Sequence, residues 1–412
     1  MTIPRRLLGA SLAWRVVCVS LLLVAAHAQQ AFDTSGELVQ YTFGQPVDEA
    51  VWNTWAVPFV RWDTVYFVAA AAHGYTYEQM LAFQPGIVAV LRAAGYLGTP
   101  EAWSPTRAVM VGTLAANAAS TLAPLLLFWV VRRWTTERVA EIAAMLSIVA
   151  PASTSALTAP TPEPFFAMFS LLGFLALGSA PYAYARRTLA AALFAIATCF
   201  RANGVLLAGY LVWDAAWASR PPNARVWACR VVGALPLVAL TVLPWALFQA
   251  WAYARLCMSG TISPWCTSRV PLAYSYVQST YWDVGLFRYW TVAQVPNFAL
   301  AAPVLVAGAV GVWAYVVRVG PGALAQAVFM PWRRTSAAGL PLLPYALHTA
   351  ALLGLLLFAS HVQIALRLCT PGGMPFVWYT AAAVCPPRAA LRYLCLYGAV
   401  AGVLYAGFYP PA

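Results

Sequence analysis

The stretch AVMVGTLAANAASTLAPLLLFWVV, residues 108–131, decides the fold class because it is apolar and holds no charged side chain. A helix needs about 20 apolar residues to cross the hydrocarbon core of a bilayer. Similar stretches lie at 188–213, 231–253, 292–317 and 340–360. The whole chain is 62% hydrophobic and 9% charged, whereas soluble domains carry about 25% charged residues. The sequence therefore predicts an all-α, polytopic integral membrane protein.

The transmembrane helices are predicted to number roughly eight to ten, within a single membrane domain, residues 1–412, that has no soluble appendage. They are placed at 7–28, 108–131, 139–158, 164–180, 188–213, 231–253, 292–317, 340–360, 374–384 and 391–408. The 188–213 run contains Arg201 and Asn203, so we expect it to break into a span and a re-entrant piece. Residues 7–28 resemble either a cleaved signal peptide or a retained first helix, and their length favours retention.

Arginine placement predicts the orientation of the chain. The net charge of +12 comes from 24 arginines without any lysine. Sixteen arginines fall on one side of the apolar runs, which the positive-inside rule makes cytoplasmic. They are Arg5, Arg6, Arg15, Arg132, Arg133, Arg138, Arg186, Arg187, Arg220, Arg225, Arg230, Arg318, Arg333, Arg334, Arg388 and Arg392.

The lumenal side then holds nine of the 12 acids and two aromatic-rich loops, 29–105 and 254–290. Within loop 29–105, residues 64–72 are expected to form a short interfacial helix. This pattern indicates membrane topology and no nucleic-acid partner.

The eight cysteines form no metal-binding pattern, and no metal is expected. Cys257 and Cys266 lie in loop 254–290, where a disulfide and two free thiols fit the sequence about equally well. The chain has no P-loop and no GxSxG element, which argues against ATP-driven transport and serine hydrolysis.

Asp63 is the strongest candidate for a catalytic group. It lies in Arg61-Trp62-Asp63, directly before an apolar run that holds it near the lipid surface. A carboxylate there can accept the proton of an attacking hydroxyl during glycosyl transfer. From composition alone, a surface pair of Arg61 and Asp63 that anchors a loop is the alternative.

Candidates for substrate binding are Arg61 and Trp62 beside Asp63, together with further polar residues near the apolar runs. His73 and Glu78 can bind sugar hydroxyls or phosphate, and Glu163 lies in a proline-rich turn between two spans. Arg201 and Asn203 interrupt an apolar run; an arginine at membrane depth is costly unless it is paired, and its fork of donors suits a phosphate. The alternatives are interfacial loop residues, a solvated turn acid and an arginine that snorkels to the membrane surface.

Two later segments carry the remaining candidates. Arg288 and Gln294 precede the 292–317 span, and Arg367 follows the 340–360 span. Both segments can contact a sugar-phosphate headgroup. Polar residues at the membrane interface are the alternative in each case.

Taken in order, these segments resemble the PIG-V family of mannosyltransferases. The landmarks are Arg61-Trp62-Asp63 with Phe67, His73-Gly74-Tyr75 with Glu78, Ala82-Phe83 with Pro85-Gly86, Arg201 with Asn203 and Gly204, Gly285 with Arg288-Tyr289-Trp290, Gln294-Val295-Pro296-Asn297-Phe298, and Arg367 with Pro375 and Trp378. The sequence departs from the family pattern at Gln84, Thr161 and Ala202.

The resemblance implies a GT-C type glycosyltransferase of the ER membrane, with dolichyl phosphate mannose as donor substrate and no cofactor. The acceptor would be the GPI precursor glycolipid, which receives its second mannose through an α1,6 linkage on the lumenal side. Asp63 would deprotonate the acceptor hydroxyl, Arg201 and Arg367 would stabilise the phosphate, and His73 and Glu78 would orient the substrates. ER membrane lipids are expected partners, and a small membrane subunit is compatible with the resemblance.

Two other functions fit the sequence. A related GT-C enzyme would act on lipid-linked oligosaccharide or protein. A multispan transporter or lipid scramblase would use Arg201 and Asp283 to line a substrate path.

Overall fold

The computed structural model describes residues 2–44, 47–98, 101–177, 184–258, 263–333 and 340–409. Within these ranges the chain is helical and contains no β-strand. The helices of nine residues or more are α1 Ile3–Ala28, α2 Asp63–His73, α3 Pro85–Tyr96, α4 Pro105–Val131, α5 Glu137–Ile148, α6 Glu163–Leu177, α7 Tyr184–Phe200, α8 Ala208–Ala216, α9 Ala224–Leu256, α10 Ala273–Tyr281, α11 Val295–Val319, α12 Pro321–Phe329, α13 Leu343–Phe358, α14 Pro375–Val384 and α15 Pro387–Ala406.

Shorter helical turns connect these elements. They are Ser35–Leu38, Val39–Thr42, Glu49–Val51, Trp52–Ala56, Val57–Phe59, Glu78–Ala82, Pro151–Thr154, Ala202–Leu207, Pro264–Thr267, Val292–Gln294, Leu340–Leu342, Val362–Ile364 and Ala365–Leu368. Two of them, Pro151–Thr154 and Pro264–Thr267, begin at a proline, whose fixed φ suits the first position of a helical turn.

Six helices in the described ranges are long and apolar enough to cross a membrane. They are Ile3–Ala28, Pro105–Val131, Ala224–Leu256, Val292–Val319, Leu340–Phe358 and Pro387–Ala406. Two shorter apolar helices, α6 and α14, accompany them. The prediction of an all-α polytopic membrane protein is confirmed.

Two of the predicted spans are interrupted. The expected helix 139–158 ends at Ile148, because Pro151 starts a separate turn and the rest of 149–162 is a buried connection. The break expected in 188–213 is present: α7 ends at Phe200, a 3-10 turn follows at Ala202–Leu207, and α8 continues from Ala208. The end of the predicted 164–180 span lies outside the described residues.

The segment 29–105 is largely folded rather than an open loop. The short helix predicted at 64–72 is α2, but Phe67, Val68 and Ala70 on it are buried inside the protein. This corrects the interfacial placement. The helix packs against α3 in the same segment, and Phe83 lies on it at 5.1 Å from the ring of Phe67.

Arginines at the proposed cytoplasmic ends hold neighbouring helices together. Arg6 pairs with Glu141, Arg187 with Asp214, and Arg133 donates to the carbonyl of Leu175. Arg334 lies outside the described residues.

Arg15 does not belong with these surface arginines. It lies near the middle of α1, is 5% exposed, and donates to the carbonyls of Ile148, Ser153 and Leu157. The sequence of α1 does not indicate that Arg15 is buried, because its partners are backbone groups far away in sequence.

The structure resolves the question left open for the cysteines of loop 254–290. Cys257 and Cys266 form a disulfide. The other six cysteines are free thiols.

Candidate active site

Asp63 is the first residue of α2, where the chain enters that helix through a strained turn. The preceding Trp62 has a φ of 54°, a region that side-chain-bearing residues seldom adopt. Its neighbour Asp63 is 31% exposed. Nη1 of Arg367 donates to Oδ2 of Asp63 at 2.5 Å. The candidate base is therefore reachable and is held by a cation from the far end of the chain.

Glu163 lies behind this pair and is fully buried. It is the first residue of α6, and its Oε1 accepts from Nε of Arg367 at 2.7 Å and from Nη1 of Arg201. Nε of Arg201 donates to Oδ1 of Asn203 at 3.2 Å. One cluster, called the ion cluster, brings together five candidates from sequence: Asp63, Glu163, Arg201, Asn203 and Arg367.

The buried connection 149–162 positions Glu163. Its backbone carbonyls are held by polar side chains of two other helices. From α1, Arg15 donates to Ser153 at 2.9 Å; from α4, Asn117 donates to Thr158 at 2.9 Å and Ser120 to Leu157 at 2.7 Å. Such bonds satisfy backbone groups that a helix would otherwise pair.

The cluster pairs two guanidinium groups with two carboxylates. Burial lowers the pKa of Arg367, but the carboxylates of Glu163 and Asp63 outweigh it and hold that pKa above its ordinary value. Arg367 therefore stays cationic at any physiological pH. A part-exposed carboxylate in this position can accept a proton, and the fixed guanidinium groups beside it can stabilise a leaving phosphate.

Arg61, a predicted substrate-binding residue, does not reach this cluster. It is 2% exposed, its Nε donates to the carbonyl of Ala406 at 3.0 Å, and its Nη1 is 3.7 Å from Glu37. The alternative of an Arg61–Asp63 pair is wrong, because Asp63 pairs with Arg367 instead. Arg61 anchors the turn before α2 to the end of α15.

Trp62 and His73 flank α2 at its two ends. The ring of Trp62 packs at 5.6 Å from Phe408, beside the active-site turn. His73 is the last residue of α2, about 15 Å along the helix from Asp63. Its ring faces Phe43 at 6.4 Å, so the structure leaves it outside the cluster.

Glu78 also lies apart from the cluster, and it connects segments 29–105 and 254–290. Its Oε1 accepts from Ser263 Oγ at 2.5 Å and from Trp265 Nε1 at 2.9 Å, and its Oε2 accepts from Tyr281 at 3.0 Å. All three donors belong to segment 263–281. Glu78 therefore holds that segment against segment 29–105, a role that its sequence neighbours do not indicate.

Arg288 and Gln294 lie near the start of α11. Arg288 is 54% exposed and forms a surface pair with Asp283 at 3.3 Å. Oε1 of Gln294 accepts from Asn297 Nδ2 at 2.6 Å, within a polar network of its own. Neither residue contacts the ion cluster.

An apolar groove with a volume of about 460 Å³ starts close to the cluster. Its lining residues are Pro85, Ala195, Cys199, Leu240, Leu243, Pro244, Leu247 and Phe248. Cys199 is two residues from Arg201, and Pro85 follows Gln84. Gln84 itself is 3% exposed, and neither of its polar side-chain atoms has a protein partner among the described residues. Sequence reasoning noted Gln84 as a departure from the family pattern but did not single it out as a functional residue.

The model of the family described as mannosyltransferase (PIG-V) matches residues 7–410. The chain belongs to the PIG-V mannosyltransferase family. This PIG-V family member is a mannosyltransferase and a multi-pass membrane protein. Within its described ranges, no group of three or more His, Cys, Asp and Glu side chains is placed to hold a metal ion.

The alignments of this family member with curated relatives cover most of the length of both chains. It is 30% identical over 435 residues to "GPI mannosyltransferase 2" of Cryptococcus neoformans var. neoformans serotype D (strain B-3501A), covering 97% of this chain and 96% of the relative. It is 30% identical to "GPI alpha-1,6-mannosyltransferase 2" of Cricetulus griseus, covering 78% and 72%. Among solved structures, an Archaeoglobus fulgidus oligosaccharyltransferase has 14% identity and a TM-score of 0.48; this chain spans 55% of its length.

Proposed function

We propose that this PIG-V family member transfers the second mannose of the GPI anchor from dolichyl phosphate mannose, through an α1,6 linkage, at the lumenal face of the ER membrane. The observation that carries the proposal is the cluster of Asp63, Arg367, Glu163 and Arg201. It combines a reachable base with two fixed cations. Relatives named for this reaction support the choice of acceptor.

The proposed lumenal side rests on two independent features. Most acids, including Asp63 and Glu78, lie opposite the arginine-rich helix ends. Disulfides persist in oxidising compartments such as the ER lumen, and segment 254–290, which carries the Cys257–Cys266 disulfide, contacts Glu78. A GT-C type ER enzyme that faces the lumen fits both features.

The donor is proposed to be a lipid-linked sugar and the reaction to need no cofactor. An isoprenoid tail fits the apolar groove, and Cys199 in that groove is two residues from Arg201. The phosphate would lie against Arg201 and Arg367, whose planar donor forks suit phosphate oxygens. A small membrane subunit and ER lipids complete the proposed partners.

The reaction is a single displacement. Asp63 accepts the proton of the acceptor 6-hydroxyl as that oxygen attacks C1 of the donor mannose. The bond from C1 to the phosphate oxygen breaks, and dolichyl phosphate leaves with the electron pair. The β-linked donor becomes an α-linked product. The guanidinium groups stabilise the charge that develops on the phosphate.

Membranes that contain the wild type or the Asp63→Asn variant can be incubated with labelled dolichyl phosphate mannose and a singly mannosylated GPI precursor. We expect Asp63→Asn to reduce the transfer rate by about 10²- to 10⁴-fold, the usual contribution of a general base. Asp48→Asn is the matched control, because asparagine caps a helix as well as aspartate does.

Three outcomes would count against the proposal. Equal product from wild type and Asp63→Asn would remove the catalytic assignment. Transfer only to lipid-linked oligosaccharide or protein would favour another GT-C mannosyltransferase. A folded wild type that moves lipid across vesicles without forming product would favour the transporter or scramblase.

A further inference from the structure

A second polar cluster lies beside the first, and two distant segments build it. The hydroxyl of Tyr289 donates to Oε1 of Gln363 at 3.1 Å. Nδ2 of Asn297 donates to the same hydroxyl at 3.0 Å and to Oε1 of Gln294 at 2.6 Å. The ring of His361 stacks on that of Tyr289 at 4.7 Å. These five residues are called the amide network.

The amide network is adjacent to the ion cluster through a short helical segment. Gln363 lies in the turn Val362–Ile364, and Arg367 lies in the helix that continues it, Ala365–Leu368. Residues four apart on helical backbone are about 5–6 Å apart at Cβ. Arg367 in turn bonds Asp63, so this short segment links the network to the candidate base.

The network's chemistry differs from that of the ion cluster. Its members are three side-chain amides, one phenol and one imidazole, and no carboxylate or guanidinium takes part in the bonds between them. Nε2 of Gln294, Nε2 of Gln363 and Oδ1 of Asn297 take no part in the bonds within the network. These groups offer donors and an acceptor to neutral hydroxyls. A phosphate, which only accepts hydrogen bonds, fits the arginines better.

The surroundings of the network indicate a ligand that is anchored in the membrane. Trp290, next to Tyr289, is 54% exposed. Exposed tryptophan favours the headgroup region of a bilayer. We therefore expect the network to lie at the depth at which a glycolipid presents its first sugars.

From this placement we infer that Tyr289, Gln294, Asn297 and Gln363 bind sugar hydroxyls of the acceptor glycolipid, while the ion cluster binds the donor phosphate. The inference rests on the proposed function for the identity of the acceptor. His361 orients Tyr289 and is itself fixed by donating to the carbonyl of Trp282.

The kinetic test varies one substrate at a time. Gln363→Ala and Asn297→Ala should each raise the KM for the singly mannosylated GPI precursor about tenfold, the effect of losing about one hydrogen bond. The KM for dolichyl phosphate mannose should stay unchanged, because these residues are assigned to the acceptor. Tyr397→Phe is the matched control, because it removes a hydroxyl that bonds Leu300 on the same helix α11.

A direct binding measurement separates this inference from the proposed function. Purified protein is titrated with the singly mannosylated GPI precursor in detergent, and in parallel with its delipidated glycan. We expect the alanine variants to bind the intact glycolipid about tenfold more weakly than wild type, whether or not transfer is observed. Binding of the delipidated glycan should be weakened by the same factor, because the network contacts the sugar and not the lipid.

The outcomes are distinct. Variants that bind the glycolipid as tightly as wild type, or that raise only the donor KM, overturn the inference even if wild type transfers mannose. Absence of any glycolipid binding to wild type also overturns it. If Gln363→Ala lowers the amount of folded protein, Gln363→Asn and Tyr289→Phe are tested in its place. The first shortens the side chain by one methylene group, and the second removes only the hydroxyl. Wild type that binds the glycolipid but never transfers mannose contradicts the proposed function alone.

Discussion

Nη1 of Arg367 lies 2.5 Å from Oδ2 of Asp63, although 304 residues separate them in sequence. The same guanidinium bonds Oε1 of Glu163 at 2.7 Å. Arg367 is therefore shared between an exposed and a buried carboxylate. A phosphate that binds Arg367 would compete with Asp63, because Glu163 is fully enclosed and cannot be displaced. Donor binding is thus expected to free the carboxylate that accepts the proton.

Arg367→Lys should reduce kcat about 10²-fold, the usual effect of losing one donor to developing charge. A lysine keeps the positive charge, but its single ammonium cannot serve both carboxylates and a phosphate in the geometry of the guanidinium fork. Steady-state transfer assays at saturating donor measure the effect. Arg388→Lys, at an exposed position of α15, is the control. An unchanged kcat in Arg367→Lys would rule out this role of the fork.

Glu163→Gln should lower the free energy of unfolding by about 3–5 kcal/mol, because it leaves buried guanidinium charge without its counterion. Thermal unfolding in detergent provides the measurement. The double variant Glu163→Gln with Arg201→Gln should recover part of the loss, since both members of the pair are then neutral. Purely additive effects of the two substitutions would contradict a direct pair.

Glu78→Gln should loosen segment 263–281 without unfolding the protein. The amide keeps one acceptor oxygen where the carboxylate accepts from Ser263, Trp265 and Tyr281, and bonds to a charged acceptor are worth about 1.5–3 kcal/mol each. Amide hydrogen exchange in this segment should rise at least about tenfold. Glu101→Gln serves as the control. Unchanged exchange would show that the disulfide alone holds the segment.

Gln84→Met should raise the melting temperature. The substitution preserves volume and removes a buried amide whose polar atoms have no protein partner, a group that costs about 1–3 kcal/mol. Differential scanning calorimetry on the detergent-solubilised protein measures the shift. A lower melting temperature would mean that an internal water satisfies the amide.

The sequence identified the members of the ion cluster but not their pairing. Charges in apolar surroundings are costly, so Asp63, Glu163, Arg201 and Arg367 were prominent without a structure. Which carboxylate each arginine bonds depends on contacts across 38 to 304 positions, and a single sequence carries no record of them. The helix break at Arg201 was predictable because polar residues interrupt an apolar run.

Arg61 and Glu78 could not be assigned from sequence for the same reason. Each neighbours the candidate base or a polar loop, which favoured a role in substrate binding. Their partners, the carbonyl of Ala406 and the donors of segment 263–281, are distant or belong to the backbone. Local patterns indicate that a charged residue needs a partner, and only the fold shows which partner it has.

The buried Arg15 has a consequence for how the protein is made. An arginine at the centre of a helix costs about 2.5–3.5 kcal/mol during membrane insertion. The carbonyl of Ile148, one of its partners, is synthesised 133 residues later. When α1 leaves the ribosome, that cost is uncompensated, so the nascent first helix stays only weakly committed to the lipid until α5 and the turn after it emerge. Biogenesis of the entire bundle is thereby tied to the arrival of one connection in the middle of the chain.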